Sequence, residues 1–399
     1  MGNQNCLCCQ REGTNGGGKE ENLSVHNTIG KNLPSLPGLD QDSFNNIFEQ
    51  KLHEFGEYST INELNDHLSD RVRGSVSESP YDISKYSTTN SKVYTARPVQ
   101  FKNGNIYAGN WNENVEMEGY GKLFLKNDGV LAEGVWKGGV LTNGRIYFPN
   151  GDIYEGSVEN STFEGKGTLY FSDGVVYKGE FRAGERSGSG IQTYPDGSIY
   201  DGQFENDVFN GQGDFKWSNG YRYVGTFDSA QLNGRGILTN EHNKSIFEGV
   251  FYKNTFHGKG NYTWGNSEST FEGSYENGIK QGKGVLKKKN GFVYRGGFLD
   301  NKPHGYGEVE IGSKKYKCTW RNGETVEVPT RSGNEPTFAK DYNSDKDKIE
   351  IDLNFEVDME DMDPKELKYL YFEDSFIHPT PVTTGSSHVQ SIAYQLPDI

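Results

Sequence analysis

The side chains best placed to do chemistry stand at the start of the chain. Met1-Gly2-Asn3-Gln4-Asn5-Cys6 is followed by Cys8 and Cys9, and the only other cysteine is Cys318. A thiol can accept an acyl group as a thioester, and Gly2 offers an α-amine for acylation once Met1 is removed. The stretch resembles an N-myristoylation signal in which Cys6 replaces the usual Ser or Thr. A single myristoyl chain binds membrane only marginally, whereas a second acyl chain makes attachment stable. Gly2 is therefore the candidate N-myristoyl site, and Cys6, Cys8 and Cys9 are the candidate S-palmitoyl sites. Two other readings stand beside this one: an unmodified tail, and zinc. The zinc reading fits poorly, because C-x-C-C with no adjacent His and no second pair matches no common tetrahedral site.

Elsewhere no nucleophile–base–orienter set is visible. His257 and His304 each precede a G-x-G (HGKG, HGYG), but they hold one equivalent position in a repeated pattern and read as loop residues. Carboxylates scatter through turns and the tail without a pocket to perturb them. The G-x-G pairs do not open a helix after a strand, as a dinucleotide loop requires. Lys287-Lys288-Lys289 is the one local basic run, a candidate contact for lipid phosphate or else a solvated hairpin. Catalytic residues, metal ligands, cofactors and a small-molecule substrate are therefore not expected.

Composition narrows the class further. The 399 residues include 52 Gly, 24 Tyr and 23 Phe but are only 32% hydrophobic, so a large close-packed core is not expected. No apolar run approaches the roughly 18 residues of a spanning helix, and the N-terminus lacks a secretory-type hydrophobic stretch. One isolated thiol in the body of the chain excludes a disulfide framework and points to a reducing, cytosolic setting. Residues 1–100 hold 9 Lys+Arg against 13 Asp+Glu, residues 101–323 hold 26 against 26, and residues 324–399 hold 6 against 17. The acidity belongs mostly to the last segment, and nucleic acid is not an expected partner.

The elements that must carry these residues are repeats. YEGSVENSTFEGKGTLYFSDG at 154–174 is followed by YKGEFRAGERSGSGIQTYPDG at 177–197 and YDGQFENDVFNGQGDFKWSNG at 200–220. The first glycine of each unit falls at Gly109, Gly134, Gly156, Gly179, Gly202, Gly225, Gly249, Gly273 and Gly296, at intervals of 22 to 25 residues, and a degenerate tenth unit has Cys318 in that slot. In Tyr-x-Gly-x-Phe the aromatics and the glycine alternate, which puts them on one face of a strand. The second half alternates likewise, and Asp-Gly or Asn-Gly closes the unit as a tight turn. Glycine on the aromatic face leaves room for a ring to lie over the backbone. The repeat-defining residues are Tyr154, Gly156, Gly165 and Gly167, then Tyr177, Gly179, Gly188 and Gly190, then Tyr200, Gly202, Gly211 and Gly213. Thr142 departs from the first Gly of G-x-G, and Asn243 and Ser267 replace the turn glycine, so looser or reshaped turns are expected there.

This pattern resembles the MORN repeat (membrane occupation and recognition nexus) over about ten units in 101–323. The resemblance implies a mainly β fold: an elongated, single-layer, twisted antiparallel sheet of consecutive hairpins, solenoid-like, with short flanking helices. At about 4.8 Å per strand the rod would be roughly 100 Å long. The domain reading is a lipidated, disordered tether at 1–40, one or two short helices at 41–73, a linker at 74–98, the array at 99–323 and an acidic tail at 324–399. Phe44, Ile47, Phe48, Leu52 and Phe55 share one helical face, and Thr60-Ile-Asn-Glu63 is a capping-box pattern with Ile61, Leu64 and Leu68 behind it. In the tail, IEIDLNFEVDM alternates, predicting a capping strand at 349–359, and Asp363-Pro364 starts a short helix over 363–372.

The functional expectation is a non-enzymatic scaffold lipid-anchored at the cytoplasmic face of a membrane (plasma, cortical or ciliary), holding protein partners through its repeats. The alternatives are a ciliary or cytoskeletal structural protein of the radial-spoke MORN type, and a direct phospholipid-binding module. The resemblance also implies homodimerisation through the repeats in some members.

Overall fold

The computed structural model describes residues 40–68, 70–78, 92–326 and 330–331. Three helices precede the array: α1 (Gln41–Phe55), α2 (Ile61–Asp66) and α3 (Asp70–Glu78). Strands β1 (Gly56–Tyr58), β2 (Tyr94–Thr95) and β3 (Val99–Phe101) lead into β4 (Ile106–Trp111), whose outer edge pairs with β2 and β3. From β4 each strand pairs antiparallel with the next, up to β22 (Lys314–Arg321). The outer edge of β22 carries two short strands, β23 (Glu324–Thr325) and β24 (Thr330–Arg331). The fold is one open antiparallel sheet of consecutive hairpins, as the MORN resemblance implies. The tenth unit is reduced to β22 and these two fragments, with Cys318 buried opposite Gly307.

Turn chemistry makes the hairpins. At one end of each unit after the first a two-residue turn carries positive φ at both positions, as at Asn160-Ser161 (48° and 60°) and Asn206-Asp207 (50° and 67°). At the other end Gly174, Gly197 and Gly220 take φ of 93°, 91° and 83°. The aspartate before the glycine folds back on the chain there: Val175 N–H donates to Asp173 Oδ1 at 3.0 Å. The two glycines of G-x-G have different tasks. The first, as at Gly165 (φ 68°), sits at a bulge where the ladder slips register between Gly156 and Val158. The second faces a ring.

Rings make a core out of a single layer. Tyr154, Tyr177, Tyr200, Tyr223 and Tyr294 are fully buried although no second sheet among the described residues covers them. Each lies flat over a glycine pair, and each phenol donates to a backbone carbonyl three residues on: Tyr154 to Ser157 at 2.7 Å, Tyr177 to Glu180 at 2.9 Å, Tyr200 to Gln203 at 2.8 Å. Phenylalanines then stand edge-on between them, Phe181 at 5.2 Å and Phe204 at 4.8 Å from the Tyr177 ring.

The departures behave individually. Thr142 keeps ordinary φ and donates its hydroxyl to Val135 O at 3.0 Å, while the register slip moves to Val135/Trp136. Where Asn243 and Ser267 replace glycine, the unit is one residue longer and the next residue takes the left-handed conformation, Lys244 at 62° and Glu268 at 52°.

The flanking helices differ from the sequence reading in number and extent. Three lie among the described residues, and α3 runs past Arg73 to Glu78, because Val72 and Val76, four apart, keep an apolar face on the sheet through Gly74. Part of the expected linker is strand, since Tyr94–Thr95 pairs with Asn110–Trp111. The capping box forms as expected: Glu63 N–H donates to Thr60 Oγ1 and Thr60 N–H to Glu63 Oε2, both at 3.1 Å. Ile61, at the first position of α2, faces solvent instead of joining Leu64 and Leu68. The helices clamp opposite faces. Phe44 of α1 stacks on Tyr94 at 4.5 Å on the aromatic side, whereas Leu64, Leu68 and Val72 pack on Ile106, Phe124, Leu131 and Tyr147 on the other.

Candidate functional site: the open face of the array

Because strand side chains alternate, every unit presents a second face opposite the rings. Between β14 (Tyr221–Asp228) and β21 (Lys302–Ile311) this face forms a groove of about 1220 Å³. One row of its lining is made by the middle residue of each G-x-G: Gln212, Arg235, Lys259, Lys283 and Tyr306. A second row, two residues along each strand, holds Val224, Ile237, Glu248, Asn261, Glu272, Val285 and Arg295. Val224 and Ile237 are 43% and 40% exposed and Tyr306 63%, so apolar surface lies open beside charge. Neighbouring cations are neutralised: Arg222 pairs with Asp214 at 2.6 Å and Arg295 with Glu310 at 3.1 Å. Arg235, Lys259 and Lys283 form no ion pair among the described residues. Such a lining can hold an extended, anionic and partly apolar chain.

Two cations stand on the aromatic side, at the position that Phe163, Phe209 and Phe256 fill in other units. Arg186 is buried and fully engaged, its Nε donating to Asp207 Oδ1 at 2.9 Å and its Nη1 to Gln192 Oε1 at 2.6 Å. Lys280 is 6% exposed, with Nζ 4.8 Å from the Trp264 ring centroid and 5.4 Å from that of Phe271. No carboxylate pairs with it among the described residues, and burial pulls its pKa down to about 8.

The structure distributes the sequence candidates unevenly. The repeat-defining Tyr and Gly residues form the aromatic ladder and its turns, which makes them scaffold. Lys287 is exposed on the open face opposite Thr270, Lys288 lies 5.7 Å from the Phe292 ring, and Lys289 pairs with Glu268 at 2.8 Å. The three thus point to different neighbours. His257 and His304 occupy β17 (Thr255–Trp264) and β21; His304 Nδ1 accepts from Asn322 N–H at 3.4 Å. No described hydrogen bond joins either imidazole to a second titratable side chain. Gly2, Cys6, Cys8 and Cys9, the strand expected at 349–359 and the helix expected at 363–372 lie outside the described residues. The row Arg235, Lys259 and Lys283 was missed from sequence; reading the middle residue of G-x-G down the repeats would have exposed it.

Together, the hairpin array and the ring-on-glycine core define an open-sheet repeat protein with one exposed face. The family model for the MORN repeat matches residues 154–176, 177–199, 200–220, 247–269, 271–293 and 294–309, so this part of the chain carries MORN repeats. Units before Tyr154 and the unit at Gly225 form the same hairpins outside the matched residues. No curated protein matches the chain. Among solved structures it is similar to the TCP domain of Drosophila melanogaster SAS-4 (dCPAP), solved with a proline-rich motif of Ana2 (13% identity, 44% of this chain and 83% of that one, TM-score 0.24). It is also similar to the TCP10 domain of Danio rerio CPAP (10% identity, 59% and 100%, TM-score 0.29). At such TM-scores these likenesses carry no argument about function. MORN repeats suggest a membrane- or protein-binding repeat protein, and no helix among the described residues is long and apolar enough to cross a membrane.

Proposed function

We propose that this chain is a non-enzymatic scaffold, held at the cytoplasmic face of a membrane by acyl chains on Gly2 and on Cys6, Cys8 and Cys9, that gathers protein partners on its open face. The observation that carries the binding half is the groove, where half-exposed Val224 and Ile237 run beside Arg235, Lys259 and Lys283. Side chains on the aromatic face are committed to each other, so the second face is the one left for partners. The anchoring half draws on Gly2 and the clustered thiols, which together supply the two signals stable attachment needs. Mass spectrometry of the native N-terminal peptide tests it. Myristate on Gly2 with thioester-linked acyl groups on the cysteines is the expected result; a peptide without acyl groups contradicts it. A phospholipid-reading role draws on the same three cations and Lys287. Salt-dependent sedimentation of the Gly2→Ala protein with anionic vesicles, undiminished from the parent, would favour that role over the anchor.

A further inference from the structure

The open face is covered at one end and exposed at the other. Near β4, α2, α3 and the link between them seat Leu64, Val72 and Leu68 on it, whereas the lining between β14 and β21 remains open. We propose that the acidic C-terminal segment of this same chain, residues 349–372, docks in that groove. The inference rests on the open face being the contact surface proposed above.

Three observations converge. The first is charge: Arg235, Lys259 and Lys283 stand in the lining against Glu248 and Glu272, a net of +1 with Arg295 taken up by Glu310, whereas residues 324–399 hold 6 Lys+Arg against 17 Asp+Glu, a net of −11. The second is pattern. Arg235, Lys259 and Lys283 stand on alternate strands, so the row spans about 19 Å at about 4.8 Å per strand. In an extended chain at about 3.3 Å per residue, Glu350 to Glu356 spans about 20 Å. Residues 349–359 alternate between carboxylates (Glu350, Asp352, Glu356, Asp358) and apolar side chains (Ile351, Leu353, Phe355, Val357). Laid along the groove, such a chain turns one side to the cation row and the other to the row containing Val224, Ile237 and Val285. The third is reach. The described chain leaves the sheet at β24, beside β22. Lys283 is then about 19 Å away and Arg235 about 38 Å, and residues 332–348 can span about 55 Å when extended. The helices at the other end show that this sheet already holds its own chain on this face.

The test uses the purified full-length protein. Zero-length carbodiimide coupling joins lysine amines to carboxylates in contact, and peptide mass spectrometry should find Lys259 and Lys283 linked to acids within 350–366 in the monomer band. Trypsin cleavage after Lys365 and Lys368 should be about tenfold slower than in the variant R235E/K259E/K283E, because cleavage tracks the undocked population. E350Q/D352N/E356Q/D358N should lose the same protection. Circular dichroism should be unchanged in both variants, since all the substituted groove residues are exposed. Cross-links confined to a dimer band would overturn the proposal in favour of a second copy, and cleavage rates unaffected by either variant would overturn it outright. Neither failure touches the acyl anchor, which the N-terminal peptide reports separately.

Discussion

Gly167 shows how little freedom a residue has where a ring uses its missing side chain. A Cβ there would stand 2.6 Å from the Tyr154 ring, whereas a Cβ at Gly74, inside α3, would meet nothing within 4 Å. Gly167→Ala should therefore cost about 1–3 kcal/mol and Gly74→Ala should add about 0.5–1 kcal/mol, read as opposite shifts of the urea midpoint. Equal shifts would contradict the ring-seat explanation. Lys280 makes a pH prediction. Its folded pKa of about 8 lies below the ordinary 10.5, so between these values the unfolded chain binds the extra proton and stability rises with pH. Tyr275 and Tyr294 shift the opposite way through burial, so stability falls as pH passes 10. From pH 7.5 to 9.5 the gain from Lys280 is about 2 kcal/mol at 1.36 kcal/mol per unit. In Lys280→Met the urea midpoint should be higher at pH 7.5 and its rise towards pH 9.5 should vanish; an unchanged slope contradicts the assignment. The glycine seats were legible because Tyr and Gly share a face at fixed spacing. Lys280 was not, because a lysine in a polar, glycine-rich strand reads as surface until the register shows it in a column of phenylalanines.

Among elements, the hairpins were the legible part, because their turn residues state their φ. Asp173-Gly174 and Asn219-Gly220 name their turns, and Asn206-Asp207 tolerates the left-handed region. Ser229-Ala230 is the exception, at φ 51° and 61° with neither Gly nor Asn to ease it. Replacing the pair by Asn-Gly should raise the urea midpoint by the equivalent of about 1 kcal/mol, since left-handed backbone costs an ordinary residue about that much; a fall would show that Ala230, which is buried, matters more as packing. Helix α1 and the capping box of α2 were readable from periodicity and caps. Their placement on opposite faces was not, because an apolar helical stripe does not say which side of a sheet receives it. The face given to α2 and α3 follows from Ile106, Phe124, Leu131 and Tyr147, which supply an apolar row where later units place Thr193, Lys216 and Arg222. Leu64→Ala should remove about 2–5 kcal/mol of that contact. Faster hydrogen exchange confined to α2, α3 and the first hairpins is the expected signature, and exchange spread evenly through the array would contradict local docking.

At the scale of the whole molecule, the segments divide the work. The array is neutral overall yet keeps an uncompensated cation row on one face, the C-terminal segment is strongly acidic, and the N-terminus carries four acylation candidates. The period and the hairpins were legible in the residues and the single sheet was implied by the family resemblance, but a charge count over 101–323 averages to zero and hides the row that only strand register reveals. The central claim is that acyl chains place this array on a membrane. Fractionation of cells expressing the full-length protein tests it most directly. The parent should sediment with membranes, while Gly2→Ala, and separately Cys6, Cys8 and Cys9 all to Ser, should shift to the soluble fraction, because the thiol variant keeps one marginal chain and, without myristate, the cysteines are not brought to the membrane on which they would be acylated. If both variants still sediment as the parent does, acylation is not the anchor and the account is wrong at its centre.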